Sequence, residues 1–477
     1  MDNGKLAKNT TLFSIALATQ KALSFIYFIF FARIIGVENT GKLSFALSFT
    51  TIFAMLMDFG LSQVLIRESA RDKKAAEKYL ANTLGWKLLL SLIIYGAIIL
   101  IINWLNYPPL TKQLVYIAAI VMLIDSFALS FFSILRGYQD LKFESLGVIL
   151  NQGAVMICGF IVLWLNWGLL ALISVYLIGS GLNLLISYSA LKFKYRLPFK
   201  INFNFQFFKT MLVLALPFGI AAFFIRIYST IDTILLSKLA DDRAVGLYSV
   251  AYKITFALQF IGVAFSASIY PAFCHYYANA KELLSKTFVK SLHYLLLLSL
   301  PISIGAILMA DKLIGPIFGT EYAPAGPALQ LMMAALVFIF LSFPVGALLN
   351  ACNKQTRNTI NLAIVAIFSV IANLILIPLW SYVGSALATL LSYGLLLFLG
   401  ISVARQIVDY NKKYLWLVLL KVSTSGLVMA LIVGLLKQWL HFIFVIPIGA
   451  LVYLIMIVLT QAITRADISQ LKILLKK

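Results

Sequence analysis

Arg33-Ile-Ile-Gly-Val-Glu-Asn-Thr-Gly41-Lys-Leu-Ser-Phe-Ala46 lines up with Lys238-Leu-Ala-Asp-Asp-Arg-Ala-Val-Gly246-Leu-Tyr-Ser-Val-Ala251, glycine on glycine, at a constant offset of 205 residues. Each copy joins one long apolar run to the next. Working outward, apolar runs at 11–33, 42–66, 82–105, 114–135, 146–165, 169–191, 211–237, 246–270, 291–310, 327–349, 359–377, 382–404, 415–436 and 441–461 are each long enough to cross a bilayer as a helix. Six spans separate the two copies. An even number gives both copies the same orientation, related by an axis along the membrane normal. The pattern predicts an all-α integral membrane protein with 1–197 as a first lobe (helices 1–6), 198–406 as a second (helices 7–12), and 407–477 as an extra helix pair with a basic tail.

Composition excludes most other classes. Of 477 residues, 62% are hydrophobic and 12% charged, far from the roughly 25% charged of a soluble domain. The net charge of +21 would suggest nucleic acid in a soluble chain. Here 26 of the 38 basic residues fall in alternate connections and termini and 6 in the opposite connections, the bias that retains Lys and Arg in the cytoplasm. Both termini are therefore expected inside, with the lipid bilayer rather than nucleic acid as the partner. Cys158, Cys274 and Cys352 have neither disulfide-framework nor zinc spacing. His275, His293 and His441 form no metal motif, and no phosphate-binding G-x-x-x-x-G-K-[ST] loop occurs. Neither a metal, an organic cofactor nor an enzymatic activity is expected.

Charges inside the spans carry the functional reading, because each costs about 2.5–3.5 kcal/mol at mid-bilayer unless paired, hydrated or able to reach the interface. Lys87 and Lys421, near inner span ends, and Arg33, at an outer end, are expected to snorkel. Lys21, Asp58, Asp125, Arg226, Asp232 and Lys253 lie deeper. Lys21, Asp58 and Asp125 share a depth of about 13–16 Å from the inner ends of their helices, so one base and two acids are expected to cluster. Asp232 and Lys253 suit an ion pair between neighbouring helices. Applying the 205-residue offset, Lys21 falls on Arg226, which gives each lobe a cation in its first helix. Arg226 shares a helical stripe with Ser229, Thr230 and Thr233, a polar face suited to water or substrate. Two opposed cations suit an anion such as the diphosphate of a lipid carrier, held by charge-assisted hydrogen bonds.

Several segments carry a family resemblance. Leu214-Ala-Leu-Pro217-Phe-Gly219, Ile231-Asp232-Thr-Ile-Leu-Leu-Ser-Lys-Leu, Val245-Gly-Leu-Tyr248-Ser-Val-Ala251-Tyr-Lys253-Ile254, Phe318-Gly319-Thr-Glu321-Tyr322, Leu349-Asn-Ala-Cys-Asn-Lys354-Gln355 and Val383-Gly384-Ser-Ala386-Leu-Ala388-Thr389 run in order across most of the chain. They resemble polysaccharide flippases, which export O-antigen or capsule repeat units and belong to the multidrug/oligosaccharidyl-lipid/polysaccharide exporter superfamily. The resemblance implies a fourteen-helix, two-lobed transporter of the plasma membrane working by alternating access. A polyprenyl-linked oligosaccharide would cross a cationic cavity lined by Lys21, Arg226 and Lys253 while its tail stays in lipid. Other polysaccharide-assembly membrane proteins are implied as partners. A single deep first-lobe cation differs from the arginine-rich peptidoglycan-precursor branch and argues against lipid II. Asp58 and Asp125 are similar to the protonatable acids of the multidrug branch, which leaves proton or sodium coupling open. The alternative reading is an ion-coupled multidrug exporter, although opposed cations would repel cationic drugs. A membrane glycosyltransferase using Asp241-Asp242 is more remote, because the outer connections leave no room for a sugar-binding domain.

Overall fold

The computed structural model describes residues 3–410 and 412–463. The basic tail expected after the last span lies outside the described residues from 464 onward. Every regular element among the described residues is helical: α1 Asn3–Asp58, α2 Leu61–Arg71, α3 Ala75–Trp104, α4 Pro109–Gly137, α5 Lys142–Trp164, α6 Gly168–Ser189, α7 Phe205–Leu239, α8 Asp242–Asn279, α9 Lys281–Phe318, α10 Gly326–Ala351, α11 Gln355–Ala404, α12 Lys412–Leu436 and α13 Phe442–Leu459. Twelve are long and apolar enough to cross a membrane, and the chain is a multi-pass membrane protein. Its exterior follows from lipid as solvent. Leu92, Leu100 and Leu431 are 70–74% exposed, while the most exposed tryptophans, Trp104, Trp164 and Trp439, sit at or just beyond helix ends, where an amphipathic ring meets the membrane interface.

Two of the twelve helices each contain two of the expected spans. In α1 the break is at Gly36 (φ 78°, ψ 173°), a conformation that glycine adopts without a Cβ clash. In α11 it is at Trp380 and Ser381, two residues after Pro378. There the chain reverses, because Ser385 Oγ donates to Asn373 Oδ1 at 2.9 Å across the break. The structure therefore joins these spans through one or two distorted residues rather than through loops.

The second expected span, 42–66, is also corrected. The helix ends at Asp58, and Phe59 (φ 35°) and Gly60 (φ 81°) turn the chain into the separate helix α2. Eleven residues are too few to cross a bilayer. The helix instead buries the stripe Leu61, Val64 and Leu65 and packs partly against Phe208, Met211 and Ala215 of α7.

By its contacts the chain divides into residues 1–249 and 250–477. In the first unit α4 packs on α6 and on α1, and α5 on α6 and α1, while Leu65 of α2, Leu84 of α3, Phe131 and Leu135 of α4 and Leu191 just after α6 share one buried core. The start of the second repeat joins this unit by a close backbone contact. A Cβ on Gly41 would stand 1.7 Å from the Asp242 carbonyl oxygen, and one on Gly246 2.0 Å from that of Val37. Asp242 is Val37 shifted by 205 residues, and Gly246 is Gly41 shifted by the same amount. The two motif copies thus exchange equivalent contacts, the reciprocal pattern a twofold axis generates.

In the second unit α10 packs on α9 and α11, and the α12–α13 pair packs on α9. Buried polar contacts hold that pair. His293 Nε2 lies 2.9 Å from the Ala462 carbonyl and its Nδ1 3.1 Å from the Tyr414 hydroxyl, while Tyr453 donates to the Leu297 carbonyl at 2.9 Å. In lipid, packing and hydrogen bonds of this kind, rather than exclusion of water, bring helices together.

Candidate functional site

The best-defined polar constellation of the first unit is built where three helices meet. Asp58 is the last residue of α1, Lys87 lies twelve residues into α3, and Ser126 is in α4. Lys87 is fully buried. Its ammonium has three donors, and they meet Asp58 Oδ1 at 3.2 Å and the carbonyl and hydroxyl of Ser126 at 3.0 Å each. The other Asp58 oxygen accepts from Ser62 Oγ at 2.7 Å, so the turn after α1 is fastened on both sides. The pair is well satisfied, and such pairs cost about 3–5 kcal/mol to break from one side.

Lys87 therefore does not snorkel, as its expected position near a span end implied. Helix α3 begins at Ala75 rather than near residue 82, which sets Lys87 about 18 Å along it. The base bonded to Asp58 is Lys87 rather than the expected Lys21, which lies exposed on α1. The missed signal was the stretch 75–81, which a hydropathy boundary at residue 82 excludes because it carries Glu77 and Lys78, although its Ala76, Leu80 and Ala81 are buried.

Beside this cluster lies a cavity of about 220 Å³ between the second half of α1 and α4, lined by Thr50, Thr51, Asp58, Asp125 and Ser126 among apolar neighbours. Asp125 is exposed at its wall. Thr50 donates its hydroxyl to the Ala46 and Leu47 carbonyls, and Thr51 to Leu47, which leaves lone pairs to face the cavity. With Lys87 already committed to Asp58, the cavity wall is rich in acceptors and carries one further carboxylate. It suits a small cation, a proton or water better than an anion.

The other expected residues lie along α7 and α8. Arg226 is half-buried on α7, nine residues after Pro217. Ser229 and Thr230 donate to its carbonyl at 3.1 and 2.7 Å, so the polar stripe is satisfied by its own helix, and Thr233 is half-buried one turn on. Asp232 is buried and accepts from the Tyr248 hydroxyl of α8 at 2.7 Å. Lys253 is half-buried further along α8. In the second unit an apolar groove of about 480 Å³ runs along α9, α12 and α13, lined by residues such as Pro301, Gly305, Met429 and Tyr453.

An all-helical, internally repeated, multi-pass membrane protein with charged groups buried among its helices has the build of a transporter. Residues 6–277 match the polysaccharide biosynthesis protein family, more than half of the chain, and the protein belongs to that family. Residues 217–380 also match the MatE family. Over 394 residues the chain is 23% identical to the probable low-salt glycan biosynthesis flippase Agl15 of Haloferax volcanii, covering 82% of this chain and 81% of that one. It is 21% identical to the capsular polysaccharide biosynthesis protein CapF of Staphylococcus aureus, over 81% of this chain and 96% of that one. Its fold is similar to that of the lipid II flippase MurJ in an inward closed conformation, with a TM-score of 0.77 at 19% identity, over 94% of this chain and 98% of that one.

Proposed function

We propose that the protein is a flippase that carries polyprenyl-diphosphate-linked oligosaccharide units from the cytoplasmic to the outer leaflet of the plasma membrane by alternating access. The observation that carries this reading is the pair Lys21 and Arg226, one cation in the first helix of each repeat, 205 residues apart. Their chemistry matches a diphosphate. The family, and relatives named as glycan or capsule proteins, support the same cargo class. A membrane potential negative inside would favour outward movement by about 2.3 kcal/mol per negative charge per 100 mV. Lys253 is a further candidate for contact with the cargo's phosphates, and Ser229, Thr230 and Thr233 would supply polar groups beside Arg226. The basic-residue bias supports cytoplasmic termini.

If movement is coupled to a proton or sodium ion, Asp125 is our candidate for its carrier, since Lys87 already neutralises Asp58. The MatE match favours a second reading, an ion-coupled multidrug exporter, but opposed cations would disfavour cationic drugs. Reconstitution separates the two. Vesicles containing the protein and a fluorescent polyprenyl-diphosphate oligosaccharide should expose about all of the labelled lipid to an external quencher, against about half without the protein. Movement of a cationic dye with no movement of the lipid would overturn the flippase reading.

A further inference from the structure

The connector between α6 and α7 is an ordered strap. A π-helical turn, Ala190–Lys194, ends α6, and after a left-handed residue at Arg196 (φ 50°) the chain runs without regular structure to Asn204, the N-cap of α7. Asn202 donates its backbone N–H to the Ala81 carbonyl at 3.2 Å, and the Asn204 N–H bonds Asn82 Oδ1 at 3.1 Å. From Tyr195 to Lys200 exposure alternates. Tyr195, Leu197 and Phe199 turn half-buried toward the core, with the Phe199 ring 4.4 Å from that of Tyr188 and tilted by 34°, while Arg196, Pro198 and Lys200 are exposed.

The outward face has an unusual pairing of chemistries. Phe193, Ile201, Phe203 and Phe205 are 72%, 59%, 52% and 64% exposed, interleaved with Lys192, Lys194, Arg196, Lys200 and Lys209. No acidic residue occurs between Glu144 and Asp232. Asp140 and Glu77, from neighbouring elements, compensate Lys194 and Lys200. Lys192, Arg196 and Lys209 have no acidic partner among the described residues. A connector bathed in water would gain nothing from four exposed large apolar side chains, and one sunk in hydrocarbon would not tolerate the cations. Both are satisfied at the level of lipid headgroups, where rings enter the acyl boundary and cations reach phosphate.

We infer that the α6–α7 strap is an anionic-lipid docking surface: Lys192, Arg196 and Lys209 bind acidic headgroups of the adjoining leaflet while Phe193, Ile201 and Phe203 seat in it. The uncompensated charge selects acidic over zwitterionic lipid. Each such residue contributes about a fivefold preference near the surface, so the three together give about a hundredfold.

The test uses the full chain with Cys158, Cys274 and Cys352 replaced by alanine and a fluorophore on Ile201→Cys, in vesicles of phosphatidylcholine and phosphatidylglycerol without any glycan lipid. Headgroup-level spin-labelled phosphatidylglycerol should quench the fluorophore much more strongly than spin-labelled phosphatidylcholine. Lys192→Gln with Arg196→Gln and Lys209→Gln should bring the two near equality, while Lys192→Arg with Arg196→Lys and Lys209→Arg should keep the preference, which separates charge from folding. Equal quenching in the parent, quenching by neither lipid, or a preference that survives neutralisation would overturn the inference. Because no cargo is present, the outcome does not depend on what the protein transports.

Discussion

The reciprocal contact between the two motif copies makes a quantitative prediction. Gly41→Ala would put a methyl 1.7 Å from the Asp242 carbonyl oxygen, and Gly246→Ala one 2.0 Å from that of Val37. Ordinary contact needs about 3.5 Å, so either methyl must part the two backbones by more than about 1 Å. Overpacking of this kind costs about 1–3 kcal/mol. Both alanines widen the same gap. Once one has separated the backbones, the second should add little, and the double variant should cost less than the sum by about 1 kcal/mol or more. The assay is thermal unfolding of the purified protein in detergent for wild type, both single variants and the double. Single variants within about 0.5 kcal/mol of wild type, or strict additivity, would refute the shared contact.

Two further predictions concern buried charge. Lys87→Met should destabilise by about 3–5 kcal/mol because it strands the Asp58 carboxylate. Asp58→Asn combined with Lys87→Met should recover much of that loss in the same unfolding assay, and a double variant no better than the single would show that the pair does not act as a unit. Outside the spans, burial raises the Asp140 carboxyl, but hydrogen bonds from Lys194, Tyr195 and the Lys142 backbone outweigh it and hold the group below its ordinary value. Its stabilising contribution is therefore present above the unfolded carboxyl pKa of about 3.9 and is lost as pH falls through the folded value. Asp140→Asn should flatten that acid limb of the stability profile while leaving its shape above about pH 5 unchanged; an equally steep acid limb in the variant would exclude Asp140 as its source.

Much of the fold was legible because lipid demands long apolar helices, and the 205-residue offset was legible because both glycine motifs meet the same packing need. The connections were not. Gly36 alone breaks α1, and Ser381 takes φ 48° in α11 with no glycine to announce it. Helix α2 was hidden because Leu61, Val64 and Leu65 continue the hydropathy of α1 across the Phe59–Gly60 turn. Lys87 was misread for a related reason. Hydropathy treats a polar residue as facing water, but Asn82, Thr83 and Lys87 face other helices, and only the three-dimensional packing distinguishes these cases. Asp58 and Asp125, expected to cluster with Lys21, line one cavity whose wall does not include Lys21.

The most direct test of the transport mechanism is headgroup translocation by the Lys21→Ala, Arg226→Ala double variant, with folding checked by thermal unfolding. Reconstituted with a fluorescent polyprenyl-diphosphate oligosaccharide, the wild type should expose nearly all of the labelled lipid to an external quencher. The double variant should leave it at the protein-free level, while Lys21→Arg with Arg226→Lys keeps substantial movement. Wild-type movement in a folded double variant would contradict the assignment of these two cations to the cargo path.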